Sequence, residues 1–163
     1  MTNASPLSHS HVPALRALAE RLSLPTVAQL ARTPGASAIY RVTVHYHDRR
    51  AKDSVATLRK MGTGEIVVEA FFDRALNQKS LSHHVSRDQF DTFNAAMLGT
   101  GFDRLGDQPD IPLYDVVDVW LVERAAGTFT HGILVVPKEA QGSYGQVVNT
   151  IRHGMPEMIR MIA

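Results

Sequence analysis

Ile39-Tyr40-Arg41-Val42-Thr43-Val44-His45-Tyr46-His47 alternates with a period of two. Tyr40, Val42, Val44 and Tyr46 fall on one side of an extended chain; Arg41, Thr43, His45 and His47 fall on the other. β-branched and aromatic side chains suit a pleated, half-buried surface. The stretch therefore predicts a strand with its tyrosines turned inward and its histidines outward.

Downstream, Glu65 to Phe72 reads as a second strand, with Ile66, Val68, Ala70 and Phe72 opposing Val67 and Phe71. The residues between admit more than one reading. Asp48 to Lys60 can extend a hairpin, in which Val55 and Thr57 alternate, or form a helical turn from Ser54 to Met61. The preferred reading is a long connection closed by Gly62-Thr63-Gly64. A short polar strand is expected near Ser80 to Val85. Ser86-Arg87-Asp88-Gln89 then fits a capping box, in which a hydroxyl and an amide reciprocally satisfy unpaired backbone donors. Behind it Phe90, Phe93, Asn94, Met97 and Leu98 trace one stripe of an amphipathic helix, with Gly99 or Gly101 as its left-handed stop. Asp115 to Glu123 and Thr128 to Val136 predict an antiparallel pair joined by a tight turn at Arg124 to Gly127. A last helix starts near Gln141 to Ser143 and carries Tyr144, Val147, Val148 and Ile151. Its stripe continues through Met155, Met158, Ile159 and Ile162, kinked by Gly154 and Pro156.

Upstream, residues 1–10 read as a flexible arm. Residues 11–34 read as a helical hairpin. Its first helix starts at Ser10 and Pro13 and carries Val12, Leu15, Leu18 and Leu22; its second follows Ser23 and Pro25 and carries Val27, Leu30 and Ala31. Two short helices cannot bury their apolar stripe alone, so the hairpin must dock on something. The order α-α-β-β-(β)-α-β-β-α predicts an α+β domain over residues 11–163: an antiparallel sheet of four or five strands with helices packed on one face.

The chain of 163 residues matches one domain and buries enough surface to fold without a staple. It has no cysteine, which excludes disulfides, thiolate nucleophiles, iron–sulfur ligation and Cys-based zinc sites. No run approaches the ~18 apolar residues of a membrane-spanning helix, and Met1 to His11 carry no secretory signature, so the expected location is cytoplasmic. A formal net charge of +1 argues against a polycation built to coat nucleic acid or anionic membrane.

Charge is nevertheless segregated. Residues 1–64 hold nine Lys and Arg against three acids, and residues 65–163 hold eight against thirteen. Arg49, Arg50 and Lys52, with Arg59 and Lys60, make a basic loop that offers nucleic-acid or phosphate binding as a weak alternative. Asp48 and Asp53 interrupt it, and no aromatic between residues 47 and 70 is placed to stack a base.

His45 and His47 share one side of their strand and could reach one divalent transition metal, with His131 or Glu69 as conceivable third ligands. The periodicity already accounts for both histidines as the polar face of that strand, so no cofactor is the leading expectation. Asp103, Asp107, Asp110, Asp115 and Asp118 are dense enough for a hard cation but lack the spacing of a calcium loop, and read as turn residues. Phosphate loops, nucleophile elbows and zinc-protease helices are absent.

These features predict a non-enzymatic protein-interaction or adaptor domain that binds a protein partner or itself, as a homo-oligomer. A metal-binding protein or metal-dependent hydrolase on His45 and His47 is the alternative. The interface candidates are Trp120, Met155, Met158 and Met161. Trp120 can lie on the outer face of its hairpin or beneath the N-terminal helices.

Overall fold

The computed structural model describes residues 6–46, 52–73, 80–109 and 118–155, with side chains from residue 13 onward. Helices α1 (Pro6–Arg21) and α2 (Val27–Ala31) precede four strands, β1 (Ile39–Tyr46), β2 (Ser54–Lys60), β3 (Ile66–Phe72) and β4 (Leu81–Val85). Helix α3 (Arg87–Gly99), strands β5 (Asp118–Ala126) and β6 (Phe129–Val135), and helix α4 (Ser143–Gly154) follow. The strands form one antiparallel sheet in the order β4-β3-β2-β1-β5-β6. The α+β class and the antiparallel sheet are as the sequence predicts.

The strand count rises to six because Ser54–Lys60 is a strand, not a connection. Its partners decide this. Val42 lies opposite Ala56 on one side of β2, and Ala56 lies opposite Ala70 on the other, so β2 is hydrogen-bonded along both edges. Strand β5 likewise runs on to Ala126, past the turn predicted at Arg124, because Arg124 and Ala125 lie opposite Tyr40 and Ile39 of β1. Helix α1 begins at Pro6, inside the predicted arm, and residues 1–5 lie outside the described residues. Proline suits a helix start, where its missing N–H is not needed.

The placement of the helices differs from the expectation that all pack on one face. Tyr40, Val42, Val44 and Tyr46 do turn into the main core, against Phe90, Phe93 and Met97 of α3 and Val147, Val148 and Ile151 of α4. The opposite face is also covered. Leu15 of α1 packs on Val119, Leu121, Leu134 and Val136, and α2 packs Val27, Leu30 and Ala31 on Ile39 and Ala125. Each fully buried aliphatic side chain contributes about 1.5–3 kcal/mol, which is what ties the hairpin to the sheet. Strand β1, at the centre and sandwiched on both faces, is therefore buried nearly throughout.

Burial on both faces leaves Arg41 beneath the hairpin at 3% exposure. Its guanidinium finds neutral acceptors: Nε donates to Thr57 Oγ1 (2.9 Å) and Nη1 to the Pro25 carbonyl (2.8 Å). Arg41 belongs to a row that crosses the whole sheet through cross-strand partners, Ser82–Glu69–Thr57–Arg41–Glu123–Gly132.

Candidate functional site

A strand at a sheet edge presents unpaired backbone N–H and C=O groups, which invite another chain unless they are covered. The two edges of this sheet are treated differently. At β6 the Leu134 N–H donates to Asp107 Oδ1 (2.8 Å), the Gln108 N–H donates to the Leu134 carbonyl (3.0 Å), and the Val136 N–H donates to Gln108 Oε1 (2.9 Å). A loop thus seals the C-terminal half of that edge. At β4 no strand among the described residues pairs with the outer side, and Leu81 to His84 are exposed.

Local sequence sets β4 against α3. Ser86 caps the helix one residue after the strand ends, its hydroxyl accepting from the Gln89 N–H (3.1 Å) while Gln89 Oε1 accepts from the Ser86 N–H (2.9 Å). Helix α4 approaches α3 closely at Gly154, where a Cβ would lie 2.2 Å from Phe93 Cδ2. Between β4, α3 and the C-terminal half of α4 opens a mostly apolar cavity of about 620 Å³. Val85, Gln89, Phe93, Ala96, Thr150 and His153 contribute to its wall. On β4, Leu81, His83 and Val85 share the face of Ala70, Val68 and Ile66, which is the face that α3 and α4 cover, so side chains bound along this edge would alternate toward the cavity.

The predicted site residues scatter. His45 is half-buried, and its Nδ1–H donates to Asp53 Oδ2 (2.8 Å), while Asp53 Oδ1 accepts from the Tyr46 N–H (3.1 Å). The bond to Asp53, outweighing partial burial, holds the imidazole above its usual range. Burial pulls Asp53 upward, but the His45 and Tyr46 hydrogen bonds prevail and leave it below the usual carboxylate range. The contact orients the ring as a carboxylate orients a metal-ligating imidazole. The conceivable third ligands do not converge on it. His131 lies on the opposite face of the sheet, edge-on to Phe102 with Nε2–H on the Leu105 carbonyl (2.6 Å), and Glu69 pairs with Arg59 (3.1 Å). No cluster of three or more His, Asp or Glu able to hold a metal ion occurs among the described residues. His47, Arg49 and Arg50 lie outside the described residues, and Lys52 is exposed beside β2.

Trp120 and Met155 are corrected as surface anchors. Trp120 is 3% exposed and Met155 0%, both within the main core. Trp120 lies on the face away from the N-terminal hairpin, its Nε1–H donating to Asp118 Oδ2 (2.8 Å) and the Arg152 guanidinium of α4 5.8 Å from its ring centre. The cause is register: Trp120 lies opposite Val44, on the strand face that α3 and α4 cover. Met158 and Met161 lie outside the described residues, as do Asp110 and Asp115. The other three aspartates of that group hold separate structural bonds, Asp103 to Arg124 (2.8 Å), Asp107 to Leu134 and Asp118 to Trp120.

A second polar cluster escapes sequence reasoning because its members are far apart in the chain. Tyr40 Oη donates to Asn94 Oδ1 (2.5 Å), Arg124 Nε donates to Tyr40 Oη (3.2 Å), and Arg124 also holds Asp103. Arg124 and Tyr40 are cross-strand partners, so the cluster ties β1 and β5 to α3 and the turn after it. Burial is the main reason the Tyr40 phenol sits above its usual range.

The chain matches no protein family and no curated protein. Among the described residues no helix is long and apolar enough to cross a membrane.

Proposed function

We propose that the protein is a non-enzymatic protein-interaction domain that takes an extended segment of a partner along strand β4. The observation that carries this reading is the asymmetry of the two sheet edges. Asp107 and Gln108 cover the end of β6, whereas β4 is exposed and flanked by the large apolar cavity. An extended peptide added to such an edge gains main-chain hydrogen bonds, and alternate side chains gain pockets. A partner with apolar residues at every second position meets both features.

A different protein is favoured over a second copy as the occupant. The exposed large apolar side chains among the described residues are Leu81, Leu98 and Phe129, which lie on β4, α3 and β6. They are divided between opposite edges of the sheet and a helix, and so do not make the self-complementary patch that a two-fold dimer uses.

The test is selection from a displayed library of extended peptides, followed by hydrogen exchange. Selected peptides should carry alternating apolar residues and protect the amides of residues 81–85. Ala96→Arg, at an exposed helix position on the cavity wall, should weaken them about tenfold or more. Failure to select any peptide overturns the reading, as do binders indifferent to both β4 and Ala96→Arg. Light scattering that reports a dimer, lost in Ala96→Arg, would replace the foreign partner with a second copy.

A further inference from the structure

The hairpin does not fill all the space between itself and the sheet. A cavity of about 450 Å³ remains there, on the face opposite β4's apolar cavity and separate from it. Arg41, Thr43 and Glu123 form part of its floor, with Arg16 and Glu20 of α1 and Val27 of α2 around it.

Two of these groups have unused binding capacity. Arg41 and Glu123 are direct cross-strand partners, yet they form no ion pair among the described residues. Arg41 places two N–H groups, on Thr57 and Pro25, of the five that a guanidinium carries. Its Nη2 has no hydrogen bond to a described residue and is not among the fully enclosed polar atoms that lack a partner, so it borders the cavity that Arg41 lines. Glu123 has no hydrogen bond to a described residue, and burial, against the pull of Arg16 and Arg41, raises its carboxyl above the usual range. Gly132 on β6 lies directly opposite Glu123 and also borders the cavity, so no side chain from that position covers Glu123.

We propose that this cavity binds a small zwitterion, an α-amino acid or a molecule carrying that head group. Its carboxylate would accept from the free N–H groups of Arg41, and its ammonium would donate to Glu123. The charge inventory selects this class. Arg16 and Arg41 balance Glu20 and Glu123, so a simple anion would meet the uncompensated carboxylates, and a simple cation the uncompensated guanidinium groups. A ligand bearing both charges satisfies both ends and completes the hydrogen bonding of Arg41, a buried guanidinium with only part of its donors paired. The volume lies in the range of small-molecule sites and leaves space beyond the head group, beside Leu24 and Val27, for an apolar side chain.

Calorimetric titration with the common α-amino acids, and with acetate and methylammonium as half-ligands, tests the proposal. At least one amino acid should bind with a Kd of about 1 mM or tighter, and both half-ligands about tenfold more weakly or worse. Glu123→Gln should weaken the amino acid about tenfold while the free protein unfolds at the same temperature or higher, because a partly buried carboxyl without an ion-pair partner among the described residues is gone. Ala28→Phe, which places a ring in the cavity, should abolish binding without touching either charge. No binding by any amino acid overturns the proposal. So does acetate or methylammonium binding as tightly as the amino acid, or affinity unchanged in both variants.

Discussion

At Gly154 the last turn of α4 meets the ring of Phe93, and any side chain there would occupy the ring's place. Phe93 is buried and stands edge-on to Tyr40, centroids 4.9 Å apart, so it cannot swing aside without disturbing the core. Gly154→Ala should therefore destabilise the protein by about 1–3 kcal/mol, read as a lower urea midpoint, although alanine is the better helix former. His45 and Asp53 carry a second expectation. The folded state raises the His45 pKa above its usual 6.5, so the stability it lends is fully present below pH 6.5 and is lost as pH rises through the raised value. Asp53, held below its usual range, keeps its charge down to more acidic pH. The gap in thermal midpoint between the wild type and His45→Gln should be widest in the window between these two pKa values. It should narrow as pH rises above His45's own; a gap that widens toward alkaline pH would contradict the pairing.

Elements differ in how much of their structure is written locally. Helix α3 is the clearest. Its cap, its apolar stripe and its stop are all sequence-local, and Gly101, with φ of +77°, takes the left-handed turn. Ser86→Ala should cost about 1 kcal/mol by removing the hydroxyl that accepts from the Gln89 N–H, measured by denaturant unfolding. Strand β2 is the contrary case. Ser54, Ala56 and Leu58 present small or single apolar side chains to the core, and Arg59 and Lys60 end the run, so the local pattern is weak. Hydrogen bonding to β1 and β3 along both edges makes it a strand, and no pattern within its own residues records those pairings. The candidate docking edge is half-legible for the same reason. A polar strand near Ser80 to Val85 can be read from the sequence, but its position at the border of the sheet cannot.

For the whole molecule, the decisive feature is that one sheet carries helices on both faces. Removing residues 1–34 should expose Val119, Leu121, Leu134 and Val136 and uncover Arg41, giving a protein that binds hydrophobic dye and aggregates. A monomer with native near-ultraviolet circular dichroism after that truncation would show that the hairpin is dispensable. Trp120, the one tryptophan of the chain, reports on the other face, and its emission should be that of a buried indole in the intact protein. By itself the sequence determined the α+β class, the inward tyrosines, the capped helix and a hairpin in need of a surface, since these follow from periodicity and capping within a few residues. Tertiary structure alone decided that the hairpin covers the second face, that Trp120 and Met155 are core, and that Arg41 meets Glu123 over a cavity. Those outcomes depend on strand order and cross-strand register, which bring together side chains that no local spacing relates.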